Sequence, residues 1–339
     1  MDRKRFIETL SLGTVMPALS TGWTLSKSPQ QIKPKPLNVG DTIGLISPAG
    51  IIGEDEDYDK VIQTIRQMGY KVKEGKHARE KHGYLAGTDD QRAEDLNTMF
   101  ADPSVKAILP FRGGWGCNRI LDKIDYQIIK DHPKALIGFS DITSLLLSIY
   151  AKTGLVTFHG PVAKSIWTHF TTDHFRKVTG NRGEHTLFVN ERLSESYNSY
   201  RIVSPGTAKG RLLGGNLTVL TAMIGSDYLP DFNNNILFIE DVGEDVYRID
   251  RMLTQLKLSG ILDQISGFIL GQCTACDESQ PYGFSLKEII DKHIKPLQIP
   301  AFSGAPIGHI DHMLTLPIGI QAEINVQEGS ISFLEDTLS

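Results

Sequence analysis

The sequence predicts an α/β protein whose first part is a parallel sheet and whose second part mixes helices with many strands. Three observations carry this. From Leu37 to about Gly160, short apolar runs alternate with segments of helical period, and such alternation builds a parallel sheet covered by helices on both faces. Beyond Gly210 the texture changes, and the chain ends on three strand-like runs, Leu314–Pro317, Gln321–Val326 and Ser330–Leu334. Between these parts, residues about 165–205 are polar with little periodicity and read as a connection. A chain of 339 residues is long enough for two cores. The expected division is 1–36 leader and linker, 37–165 first domain, 166–208 interdomain connection and 209–339 second domain.

Each element follows from its pattern. Thr42–Ser47 reads as a strand, Tyr58–Met68 as a helix stopped by Gly69, and Tyr70–Lys73 as a second strand. Asp89–Phe100 is helical, and Val105–Leu109, Leu136–Phe139 and Leu155–Phe158 are strands. A helix over Asp141–Tyr150 follows Ser140. In the second part, Gly214–Asn216 opens an apolar helix to Ile224. Ile236–Val242 is a strand ending on carboxylates, Val246–Leu258 an amphipathic helix, Ile265–Leu270 a strand and Leu286–Ile294 a helix.

Composition excludes some functions. A net charge of −5 and a pI near 6.1 argue against a nucleic-acid binder, which needs a basic face. No apolar run reaches the length of a membrane span. At the N-terminus, Arg3, Lys4 and Arg5 precede a mildly apolar run from Leu10 to Leu19, and Ala18-Leu-Ser20 offers small residues for cleavage. That order of features reads as an export leader of twin-arginine-like type, which would place the protein in the periplasm. The other reading is an arm that stays attached to a cytoplasmic protein. Cys273-Thr-Ala-Cys276 has the spacing of half a zinc site or of a redox pair, but there is no second Cys-x-x-Cys. Cys273 at a strand end is the plainer reading.

Ser140 is the residue that points to chemistry. It follows an apolar run and precedes a helix, so a sharp strand-to-helix turn would lift its hydroxyl towards the amides of the helix N-terminus. The alternative is a simple helix cap. Gly138-Phe-Ser140-Asp-Ile142 lacks the second glycine of the Gly-x-Ser-x-Gly elbow, which argues against an ordinary α/β-hydrolase. A serine nucleophile needs a histidine base and an acid. Glu240 at a strand end and His309 in the turn Pro306-Ile-Gly-His309 offer them. Arg112-Gly-Gly-Trp-Gly116 lies at another strand end, where glycines expose amides to a ligand. Neither a dinucleotide fingerprint nor a Walker sequence occurs, so no nucleotide cofactor is expected. Asp311 and His312 could join Glu240 and His309 in a metal cluster, but a metal mechanism leaves Ser140 without a purpose. No metal is expected.

These residues resemble the LD-carboxypeptidases, the serine peptidase family that includes muramoyltetrapeptide carboxypeptidase and the microcin C self-immunity hydrolase. The resemblance runs through Ile46–Gly50, Arg112–Arg119, Gly138–Thr143, Leu213–Leu217, Phe238–Met252 and Pro306–His309, over nearly all of residues 38–335. It implies a flavodoxin-like N-terminal domain and a C-terminal domain of strands and helices. It implies a metal-free Ser–His–Glu triad, falling on Ser140, His309 and Glu240, with an oxyanion hole at the backbone amides of Gly114 and Asp141. The implied substrate is a peptidoglycan stem peptide, cut between an L-centre residue and a C-terminal D-amino acid. A homodimer is implied as well. A carboxypeptidase must also bind a free carboxylate, and Arg112 is the candidate. Hydrolysis of a peptide–nucleotide conjugate is the alternative within the family. A non-catalytic peptide- or sugar-binding protein is the rival outside it.

Overall fold

The computed structural model describes residues 30–53, 57–183, 185–190, 193–276 and 283–339. The leader expected over residues 1–20 lies outside them. The chain begins β1 (Thr42–Ile46), α1 (Tyr58–Gln67), β2 (Lys71–Glu74), α2 (Asp89–Ala101), β3 (Val105–Pro110), α3 (Tyr126–Asp131), β4 (Ala135–Gly138), α4 (Thr143–Thr153), β5 (Thr157–His159) and α5 (His169–Gly180). Next come β6 (Thr186–Phe188), β7 (Arg201–Ser204), β8 (Thr207–Asn216), α6 (Leu217–Ala222), β9 (Ile236–Val242) and α7 (Val246–Leu258). The chain closes with β10 (Gly267–Thr274), α8 (Leu286–Ile294), β11 (Ala301–Ser303), β12 (Leu316–Ile318), β13 (Gln321–Asn325) and β14 (Ser330–Phe333).

The first sheet is ordered β2-β1-β3-β4-β5, all parallel, with β12 antiparallel against β5. This is the flavodoxin-like order. Its strand sequence reverses direction at β1 and β3, so a crevice opens beyond their C-terminal ends. The strands are continuous apolar runs because both faces are covered; Leu45, Ile108, Leu109, Leu136 and Ile137 are fully buried. Helices start where side chains take up the first amides. Asp57 accepts from two of them, and Thr88–Gln91 and Ser285–Glu288 form capping boxes. α4 is buried on every side from Thr143 to Tyr150, as an apolar helix between two sheets must be.

The second sheet is ordered β6-β14-β13-β8-β9-β10-β11-β7, with a parallel centre from β8 to β11 and antiparallel flanks. The strand-rich second part is thus present. The stretch 166–208, expected as a connection, holds α5, β6 and β7. α5 buries Thr171, Phe175, Val178 and Thr179; two threonines in that stripe hide its helical period. β6 and β7 are the short edge strands of the sheet. β12 departs from the sequence order of the two parts by joining the first sheet. The expected linker also differs, because Ile32 pairs with Leu155 through two backbone hydrogen bonds of 2.8 Å. Gln31 donates to the Gly319 carbonyl at 2.9 Å, and Lys33 pairs with Glu335 at 2.9 Å.

Candidate active site

Ser140 sits two residues beyond the end of β4 at Gly138, where the chain passes through Phe139 into a single 3-10 turn over Ser140–Ile142. Its φ is 61°, a left-handed conformation that costs a non-glycine residue roughly 1–3 kcal/mol. The surroundings hold it there. Buried Asp141 accepts the Cys117 amide at 2.8 Å, tying the serine turn to the glycine-rich loop. Thr143 Oγ1 accepts the Asn216 amide at 3.0 Å, tying the same turn to the end of β8. Gly113 explains the loop's composition, since a Cβ there would stand 2.9 Å from Ser140 Cβ and 3.1 Å from its Oγ. The Gly113 carbonyl accepts the Gly50 amide at 3.3 Å, which draws the loops after β1 and β3 together beside the serine. This is the crevice at the reversal of strand order.

Glu240 belongs to β9, in register with Asn216 of β8, and is fully buried. Its Oε2 accepts a hydrogen bond from His309 Nδ1 at 2.8 Å, which leaves Nε2 as the free face of the ring. Gly308 has a φ of 115°, and a Cβ on it would lie 2.7 Å from Glu240 Oε2. Only glycine lets the loop bring the histidine onto the carboxylate. The His309 ring stands edge-on to Phe139, 4.8 Å between centroids, next to Ser140 in sequence. The structure thus joins Glu240 of β9 to His309 of the loop between β11 and β12, and sets Phe139, the residue before Ser140, against the His309 ring. Burial pulls the His309 pKa down, but attraction and hydrogen bonding to Glu240 outweigh it, and the net shift is upward from 6.5.

The neighbouring acids have different partners. Asp241 points away from the histidine. It accepts from Asn216 Nδ2 at 3.0 Å, the Val242 amide at 2.9 Å, and the Thr218 amide and hydroxyl at 3.0 and 2.8 Å. Burial and the nearby Glu240 raise its pKa against those hydrogen bonds. Arg112 is half-buried, with Nη1 on the Ile51 carbonyl at 2.9 Å. The Tyr197 hydroxyl accepts the amides of Asp311 and His312 at 3.0 and 3.1 Å and faces His312 Nδ1 at 3.3 Å. Among the described residues, no three His, Cys, Asp or Glu side chains converge as metal ligands.

Several supporting residues escaped the sequence reading. Arg92 is fully buried and donates to the carbonyls of Pro48 and Gly116, clamping both loops that face Ser140. Thr274 Oγ1 donates to the His309 carbonyl at 3.0 Å. His159 is buried between Phe139 and Phe238, and burial holds its pKa down to about 3. Beside His309 opens a cavity of about 300 Å³, lined by Tyr197, Asn198, Gln272, Thr274 and Asp311. None of these residues carries a local signal in the sequence.

The chain is an α/β protein with a flavodoxin-like sheet, a half-buried histidine on a buried carboxylate and a nearby serine at positive φ, a candidate hydrolytic site. Residues 43–160 match the N-terminal domain of LD-carboxypeptidases and residues 209–324 the C-terminal domain. The chain belongs to the LD-carboxypeptidase family, a family of peptidases. A probable murein peptide carboxypeptidase of Bacillus subtilis is 39% identical over 87% of this chain and 92% of that protein. The microcin C7 self-immunity protein MccF of Escherichia coli is 33% identical over 89% of this chain and 96% of its own length. MccF in complex with glutamyl sulfamoyl guanosine superposes with a TM-score of 0.84 at 31% identity, covering 91% of this chain and 99% of that one. Muramoyltetrapeptide carboxypeptidase from Oxalobacter formigenes gives 0.74 at 29% identity, covering 86% and 97%.

Proposed function

We propose that the protein is a serine-type LD-carboxypeptidase that removes a C-terminal D-amino acid from the preceding L-centre of a peptidoglycan stem peptide. The observation that carries this is the fully buried Glu240 carboxylate on His309 Nδ1 at 2.8 Å, beside a serine held at positive φ. His309 Nε2 takes the Ser140 proton as Oγ attacks the scissile carbonyl. Glu240 stabilises the imidazolium and keeps the ring in the productive tautomer. The amides of Gly114 and Asp141 receive the oxyanion; such a donor contributes about 3–4 kcal/mol to the transition state. The acyl-enzyme breaks down by attack of water, with His309 again as base. Arg112 is assigned to the substrate's free carboxylate through the guanidinium edge not engaged by Ile51. No metal takes part. The murein peptide carboxypeptidases among its relatives support a murein peptide as substrate. Incubation with a tetrapeptide stem should release free D-alanine; no release over prolonged incubation would sink this reading.

A second reading has one observation in its favour, the higher structural likeness to MccF than to the muramoyltetrapeptide enzyme. An aminoacyl sulfamoyl nucleoside offered alone, and then against the stem peptide, decides between them. Faster turnover of the nucleoside would make this an immunity-type hydrolase. An export leader would place the stem-peptide reaction in the periplasm.

A further inference from the structure

We propose that Cys273 and Cys276 form a thiol redox site, and that their disulfide slows hydrolysis by displacing the turn that holds His309. Cys273 is buried near the end of β10, in register with Asp241 of β9, and Cys276 lies half-exposed just beyond the strand. Between them Ala275 reverses the chain with a φ of 51°. The turn brings the two thiols close enough to interact. The Glu244 amide donates to the Cys276 sulfur. Interaction with Cys273 and with this amide draws the Cys276 thiol below its ordinary 9.0, while interaction with Cys276 and burial push Cys273 far above it. Cys276 is thus the sulfur a peroxide reaches, and the buried Cys273 is the resolving thiol. Cys117 takes no part. It is buried in the first sheet's loops with its thiol towards the Pro48 carbonyl at 3.6 Å.

The pair is wired to the site. Thr274, between the cysteines, holds the His309 carbonyl at 3.0 Å, and its own carbonyl accepts the Gly243 amide at 2.9 Å. Cys273, Thr274 and Ala275 line the same cavity as His309. A disulfide shortens the sulfur–sulfur contact to about 2.05 Å, which the turn must absorb by rotating Thr274 away from His309. The oxidant is a peroxide. Cys276 thiolate attacks one peroxide oxygen; the S–O bond forms, the O–O bond breaks, and the departing hydroxide takes a proton to become water. Cys273 then attacks the sulfenic sulfur, and a second water leaves as the S–S bond forms. Two thiols lose two hydrogens and one hydrogen peroxide becomes two waters. A dithiol reductant reverses the step by exchange.

The test uses the purified full chain, reduced and then treated with stoichiometric hydrogen peroxide, alkylated and digested. The peptide holding both cysteines should lose two hydrogens instead of gaining two alkyl groups. D-alanine release should fall by about tenfold or more, since a displacement of about 1 Å at a catalytic group costs up to about a hundredfold. Dithiothreitol should restore both. Cys276→Ser should keep the reduced rate and ignore peroxide. Two alkylated thiols after peroxide, sulfinic acid in place of the disulfide, a disulfide with an unchanged rate, or a Cys276→Ser variant still slowed by peroxide would each overturn the proposal. The effect on rate rests on the reading of His309 as base, whereas the mass shift does not. If the reduced chain leaves stem peptides intact, the substrate reading fails and the rate is measured on the sulfamoyl nucleoside.

Discussion

Glu240→Gln removes one charge from a buried site and keeps its shape. The carboxylate oxygen lies 2.8 Å from His309 Nδ1. With an effective dielectric near 20, the attraction to an imidazolium is roughly 4–6 kcal/mol before desolvation is counted. Burial opposes it, and the upward shift of the His309 pKa shows that the attraction wins. A net loss of about 3–5 kcal/mol in the transition state corresponds to roughly a hundred- to several-thousand-fold in kcat at 1.36 kcal/mol per decade. The pH profile carries an independent sign. The base must be neutral, so wild-type kcat/KM climbs as pH rises through a His309 pKa above 6.5. In Glu240→Gln burial is opposed only by the weaker attraction of Asp241 and Cys276, and the midpoint moves to lower pH. D-alanine release followed across the acid limb for both proteins measures both quantities. A loss under about tenfold, or a midpoint that stays where it was, refutes the assignment of Glu240 as the supporting acid.

Ser140→Ala should abolish release of D-alanine with the circular dichroism spectrum and melting temperature retained; residual activity within about tenfold of wild type would remove the acyl-enzyme. Asp241→Asn should cost stability more than chemistry. Its carboxylate accepts four hydrogen bonds while buried, and an amide can replace only part of that set at about 1–3 kcal/mol lost. Its Tm should fall while kcat of the folded protein stays well above that of Glu240→Gln. A chain starting at Gln30 should melt like the full chain, whereas one starting at Lys33 loses the Ile32 bridge and the Gln31 contacts and should melt several degrees lower; equal melting temperatures would show those contacts to be idle.

Legibility in the sequence followed the range of the interactions. α7 and α8 occupy the spans their apolar periods predict, Val246–Leu258 and Leu286–Ile294, because a single buried stripe decides each. The parallel strands β1, β3 and β4 stand out as apolar runs because both faces are covered. β8 was hidden. Three of its ten residues are glycines, which weaken a strand on their own and are tolerated here because neighbouring chains crowd in; a Cβ on Gly210 would meet the Asn234 carbonyl at 2.6 Å. Ser140, Glu240 and His309 stand out in the sequence because each lies near an element end with chemistry out of place for a core, and the structure pairs the last two. Their supports do not stand out. Arg92, Thr274 and Tyr197 act through carbonyls and amides on loops distant in sequence, and nothing local marks them.

The strand that leaves the second sheet to join the first has a mechanical meaning. The His309 loop is anchored at one end by β11, in the second sheet, and at the other by β12, in the first. His309 therefore rides on a strap sewn to both bodies of the molecule, while Ser140 is fixed to one and Glu240 to the other. Rocking the bodies apart would drag the strap and strain the pairing of β12 with β5, so the strap resists a hinge between them. Neither half could be cut out intact. The first would be left with β5 as a bare edge inviting aggregation, and heat should melt the whole as one cooperative unit.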